Sequence, residues 1–128
     1  MAVSPVPCQP QETPTAVGAS VSLAIVGRRA VLALLGDIDL DSAPRVADAI
    51  DDALDDAALE LWLDFSATQF MDSTGVHLLL ETQERIRGQS RKLAVICPAG
   101  PVRRVLELAG VAQQLPLFED RAAAHRAA

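Results

Sequence analysis

The sequence predicts one α/β domain: a small mixed sheet of about four to five strands with about four helices. Three observations lead there. The chain has 128 residues, enough for one domain of ordinary size. Two short apolar runs separated by Gly27-Arg28-Arg29 give a hairpin signal. After it, apolar runs of strand length alternate with segments of helical periodicity, the pattern of βαβ units.

The elements follow in order. Residues 1–19 are rich in Pro, Gln and Thr, and read as a flexible tail ahead of a domain over residues 20–128. Val21–Val26 and Ala30–Leu35 form the hairpin, which ends at Gly36-Asp37-Ile38-Asp39. Ser42-Ala43-Pro44 reads as an N-cap followed by a first-turn proline. Val46, Ala49, Ile50, Ala53 and Leu54 then recur at helical spacing, with Asp48, Asp51, Asp52, Asp55 and Asp56 on the opposite, solvated face. Leu59–Phe65 is a third strand, and Phe65 to Met71 is expected to be a seven-residue loop. A second helix runs from Ser73 to Arg87, with Val76, Leu79, Leu80, Gln83 and Ile86 on one face and Gly88 at its end. Lys92–Cys97 is a fourth strand. Pro101 opens a third helix with Val102, Val105, Leu106 and Ala109 inward, stopped by Gly110. Leu115–Phe118 suits a short edge strand, because Pro116 cannot donate to a ladder. Asp120 can cap a last Ala-rich helix.

Composition narrows the function. Half the residues are hydrophobic, so a real core can form, and the formal net charge is −6. Phosphate binding needs clustered Lys and Arg, so neither nucleic acid nor an anionic membrane surface is an expected partner. One Trp, three Phe and no Tyr leave little for a base- or sugar-stacking site. Cys8 and Cys97 are too few for a zinc site, and no metal or cofactor is expected. No apolar run approaches the ~20 residues of a membrane span, and no leader pattern opens the chain; the expected location is cytoplasmic, with reduced cysteines.

The most informative segment is Asp64-Phe65-Ser66-Ala67-Thr68-Gln69-Phe70-Met71-Asp72-Ser73-Thr74-Gly75. A strand ends, and a helix begins with two hydroxyls and a carboxylate where backbone N–H groups lack partners. Partners and ligands dock at the carboxyl ends of strands in α/β sheets. Asp72 or Ser73 can be simply an N-cap. Against that, Phe70 and Met71 place large apolar groups just before it, where they can anchor a partner, although a core position is equally open for Phe70. Gly75 in the first turn costs helix stability, which points to a close approach. A phosphate on Ser73, or less favourably on Thr74, would sit at the positive end of the helix dipole. A second cluster, Asp37, Asp39 and Asp41, reads as a capped polar loop, as a neighbour of the Ser73 segment touching the same partner, or as a Mg²⁺ site with nothing else suited to phosphate chemistry beside it.

These residues resemble the STAS family, the sulphate transporter and anti-sigma factor antagonist domains. The resemblance rests on Gly36-Asp37-Ile38-Asp39, Asp64-Phe65-Ser66, Met71-Asp72-Ser73-Thr74-Gly75 and the stretch from Pro98 to Gly110, and covers roughly Val21 onward. It implies a binding switch and not an enzyme. In the antagonist branch, the Ser after Asp is phosphorylated by an anti-sigma factor that is itself a serine kinase. The unmodified antagonist binds that kinase and releases the sigma factor, and a phosphatase resets the system. Ser73 matches the phosphorylated Ser, and Asp39 the acid near it. The partner-binding set so implied is Asp37, Asp39, Asp72, Ser73, Thr74, Gly75 and His77. His77 departs from the small residue of many members; it is expected to point outward one turn from Ser73, where it is solvated or alters partner choice.

Other readings compete. A STAS accessory subunit of an ABC transporter ATPase would use the same helix start without phosphorylation. A receiver-like phosphotransfer domain would use Asp64 as acceptor, but needs a Lys at a late strand end, and Lys92 stands at a strand start. Hydrolysis by Ser73 would have only His77 or His125 as base, with no nucleophile-elbow sequence.

Overall fold

The computed structural model describes residues 20–55 and 58–127. The expected tail, Cys8 and Asp56 lie outside the described residues. The strands are β1 (Ser20–Val26), β2 (Arg29–Ile38), β3 (Glu60–Asp64), β4 (Thr68–Met71), β5 (Lys92–Ile96) and β6 (Leu117–Phe118). The helices are α1 (Ala43–Asp55), α2 (Ser73–Arg87), α3 (Pro101–Leu108) and α4 (Arg121–Ala127), with a short 3₁₀ turn at Ala112–Gln114. The sheet runs in the order β1-β2-β3-β5-β6, with β4 pairing β2. Among the described residues only the β1–β2 hairpin is antiparallel, and the other pairings are parallel. The mixed α/β architecture is the one the alternation of periods demands.

Side chains alternate across the strands, and each face has its own cover. Ala30, Leu32, Leu34, Leu61, Leu63 and Val95 join the main core, filled from the helices by Val46 and Ile50 of α1, Val76 and Leu79 of α2, and Val102 and Leu106 of α3. The opposite face holds Val31, Trp62, Ala94 and Ile96, which α4 covers through Ala124. There Glu60 accepts from both Arg29 Nε at 3.0 Å and the Trp62 indole at 3.2 Å, while the Arg29 guanidinium lies 3.9 Å from the Trp62 ring centroid. This is how a charged residue at the start of β2 stacks over the aromatic ring without being stranded.

Two expectations change. The segment from Phe65 to Met71 is not a plain loop, since Thr68–Met71 forms β4 beside the end of β2. The reason lies in β2, which is ten residues long. It pairs with β3 over Arg29–Ala33 and then with β4 over Gly36–Ile38, with a register shift between Gly36 and Asp37 inside that second ladder. Gly36 has φ +90°, a backbone state that side chains resist, so glycine accommodates the irregularity in the β2–β4 ladder. In α3, Ala109 is exposed and follows the last helical residue, so it does not point inward.

Candidate functional site

The parallel strands β2, β3, β4 and β5 end on one edge of the sheet, and the two loops of interest rise from it. Paired strands bring those loops together: Ile38 of β2 stands opposite Met71 of β4, and the Asp72 backbone N–H donates to the Ile38 carbonyl at 3.1 Å. The Asp37–Asp41 segment therefore borders the start of α2.

At that start Asp72 is the N-cap. Its carboxylate accepts from the Thr74 N–H at 2.8 Å, and its carbonyl accepts from Gly75 at 3.1 Å and Val76 at 3.3 Å. The capping role thus falls to Asp72, leaving Ser73 as the first helical residue. Ser73 is exposed, and its hydroxyl has no hydrogen-bond partner among the described residues. Thr74 is half-buried, and His77 is exposed one turn on.

Gly75 is buried, and its tight surroundings are internal. A Cβ there would lie 2.5 Å from Met71 Cγ and 3.0 Å from Ile38 Cγ2. The close approach inferred at Gly75 is made by the chain's own β2 and β4, so Gly75 shapes the site without presenting a surface. Met71 is likewise core, at 1% exposure, and not an outward anchor. Phe70, the residue before it on the pleat, is 48% exposed. Leu40 is 74% exposed between Asp39 and Asp41, and nothing in the sequence pattern singled it out.

The Asp39 loop is built differently. Asp39 Oδ1 accepts from the backbone N–H groups of Asp41 and Ser42, each at 3.1 Å. The Ser42 hydroxyl accepts from the Asp39 N–H at 3.0 Å and donates to the Asp37 carbonyl at 2.9 Å. Ser42 is buried; Asp37 and Asp39 are half-buried and Asp41 exposed. Asp39 holds its own loop as well as bordering α2. No group of three His, Cys, Asp or Glu among the described residues is arranged to hold a metal ion.

Asp64 sits at the end of β3 with its carboxylate occupied. It accepts from the Ser66 N–H at 2.8 Å and from Arg121 Nε at 2.7 Å. Burial pushes its pKa up, but the bonds from Ser66 and the Arg121 charge outweigh that and hold it below the usual carboxylate value. A receiver-type acceptor would need this carboxylate free, and Lys92 begins β5 at the opposite edge of the sheet. Cys97, just beyond β5, is buried, and burial pushes its thiol up to about 11, so it stays protonated and inert near neutrality.

Residues 20–124 match the STAS domain family. The chain belongs to that family. This STAS domain is 37% identical over 89 residues to the anti-sigma-F factor antagonist RsfB of Mycobacterium tuberculosis, covering 70% of this chain and 72% of the relative. It is 26% identical over 91 residues to an anti-sigma F factor antagonist of Paenibacillus polymyxa, covering 70% and 78%. In three dimensions it resembles the crystal structure of an anti-sigma factor antagonist from Mycobacterium paratuberculosis, with a TM-score of 0.80 at 26% identity over 86% of this chain and 93% of the other. These are names of regulators, not of enzymes. No helix among the described residues of the STAS domain is long and apolar enough to cross a membrane.

Proposed function

We propose that this protein is an anti-sigma factor antagonist that binds an anti-sigma factor serine kinase through the start of α2 and the Asp37–Asp41 loop, and is switched off by phosphorylation of Ser73. The observation that carries this reading is the division of labour at the helix start: Asp72 caps α2, and Ser73 stands exposed with a free hydroxyl. A kinase can reach such a hydroxyl, and the fold does not depend on it. The relatives named as antagonists support the partner class.

The chemistry of the switch is electrostatic. A phosphoserine brings about −1.5 to −2 charges. The α2 dipole favours that charge at its positive end, so the domain tolerates it. The surface around it already carries Asp39, Asp41 and Asp72, which suits a basic partner surface. An added dianion in the middle of the contact must be desolvated against packed groups. A loss of ~3 kcal/mol weakens binding on the order of 100-fold, enough to release the kinase. A phosphatase restores the binding form. Phe70 at the end of β4 and Leu40 in the Asp37–Asp41 loop are exposed and supply apolar contact, with Asp37, Thr74 and His77 at the border. The protein works in the cytoplasm, where the kinase and its sigma factor act.

The test is a pull-down from native lysate with wild type, Ser73→Ala and Ser73→Asp as baits, and phosphate mapping of the wild type after adding ATP. The expected result is a serine kinase held by wild type and Ser73→Ala, lost by Ser73→Asp, with phosphate on Ser73. A transporter ATPase held equally by all three baits, with no phosphate, would replace this reading with the accessory-subunit one.

A further inference from the structure

The two edges of the sheet are protected very differently. At one edge, β6 is two residues long, follows Pro116, and runs straight into Glu119 and Asp120. Short length, proline and charge are the usual means of keeping a strand edge from pairing with another chain. At the other edge, β1 is seven residues long, Ser20-Val21-Ser22-Leu23-Ala24-Ile25-Val26, with no charge, no proline and no break in its register against β2. Leu23, Ile25 and Val26 remain 46%, 51% and 60% exposed although the strand is paired on its inner side. In an antiparallel hairpin, alternate residues of such a strand turn their N–H and C=O groups away from the neighbour, here towards an edge that no other strand of the described residues pairs with.

We propose that β1 is a self-association edge, on which a second copy of this chain adds its own β1 antiparallel to form one continuous sheet across the dimer. The strand is its own complement. A twofold axis normal to the sheet keeps each face of the sheet on the same side in both copies, and directly opposed residues share a face. Val21, Leu23 and Ile25 must then meet the same set in the partner. Centring the axis on Leu23 uses the whole strand: Leu23 faces Leu23, Val21 faces Ile25, Ser22 faces Ala24 and Ser20 faces Val26. Apolar side chains meet apolar ones at three positions on one face, and no like charges oppose. The core-facing side of β1 lies beside Ala30, Leu32 and Leu34 of β2, so the pairing continues the main core layer outward. The contact is small, and the net charge of −6 on each chain opposes association, so the expected dissociation constant is on the order of tens of micromolar. No residue of β1 belongs to the proposed Ser73 site, and the inference does not rest on the proposed function.

The twofold register gives a specific test. Sedimentation velocity of the full chain over a micromolar to submillimolar series should show reversible dimerisation. Leu23→Lys and Leu23→Glu each place two like charges directly opposite and should each weaken self-association by about tenfold or more, with unchanged circular dichroism. An equimolar mixture of the two should dimerise again, because Lys then faces Glu. Hydrogen exchange of the wild type should slow at alternate β1 amides as concentration rises, a readout that survives if a variant folds poorly. A wild type that stays monomeric throughout would overturn the proposal. So would a dimer unaffected by Leu23→Lys, or β1 amides equally protected at every concentration, which would mean that another segment of the same chain covers the edge.

Discussion

Two helix starts stand side by side at the same edge of the sheet, and they use the same residue types in opposite ways. At α1, the Asp–Ser pair is turned inward. Ser42 is buried, bonded to Asp37 and Asp39, and the Asp39 carboxylate closes the loop on itself. At α2, Asp72 alone does the capping, and Ser73 faces solvent with nothing to hold. Asp and Ser at a helix start therefore do not by themselves mark a functional site; what distinguishes the α2 start is a hydroxyl that the fold does not use. The contrast also limits how Asp39 can be read. A substitution there disturbs a loop as well as any partner contact, so loss of binding in Asp39→Ala would not isolate a direct role.

The contrast can be sharpened by stability measurements, beginning where the chain itself packs hardest against the α2 start. Gly75→Ala pushes a methyl into Met71 and Ile38, and should destabilise the domain by about 2–3 kcal/mol in urea unfolding, with binding lost only as far as folding is lost. Ser42→Ala leaves the Asp39 N–H and the Asp37 carbonyl without their buried partner, and should cost about 1–2 kcal/mol. Asp64→Asn should cost about 1 kcal/mol near neutrality, because the half-exposed Arg121 is partly screened. That effect has a pH signature. The Asp64 pKa is lowered by folding, so its contribution is present above the ordinary carboxylate pKa and fades as pH falls through the folded value. Wild type and Asp64→Asn should therefore converge in acid and separate towards pH 7 in thermal melts. Ser73→Ala should change stability by less than about 0.5 kcal/mol, the smallest effect of the series. A large loss in Ser73→Ala would erase the contrast between the two serines.

Much of this was legible in the sequence, for physical reasons. The hairpin, the parallel strands and the four helices announce themselves through periodicity and through Pro and Gly punctuation, and Asp120 caps α4 as expected, accepting from Ala123 at 2.8 Å. Strand β4 was hidden because it is four residues long and alternates only loosely, and because its ladder with β2 carries a register shift after Gly36 that no local pattern encodes. Phe70 and Met71 are adjacent and similarly apolar, so their opposite fates were not readable until the pleat of β4 was known. The division of labour between Asp72 and Ser73 was equally closed to inspection, since either can cap a helix. Gly75 was correctly singled out as a close approach, but the direction of that approach depends on Met71 and Ile38, which only the fold brings there.

The central claim is that charge on Ser73, and not any change in fold, decides binding. The most direct measurement is isothermal titration of the captured kinase with two forms of the full chain: unmodified, and carrying phosphoserine placed at position 73 during synthesis. Thermal unfolding of both would be recorded alongside. The expected result is affinity lower by about 100-fold for the phosphorylated form, with an unfolding midpoint close to that of the unmodified chain. Equal affinities, or a loss of affinity that tracks a fall in the unfolding midpoint, would contradict it.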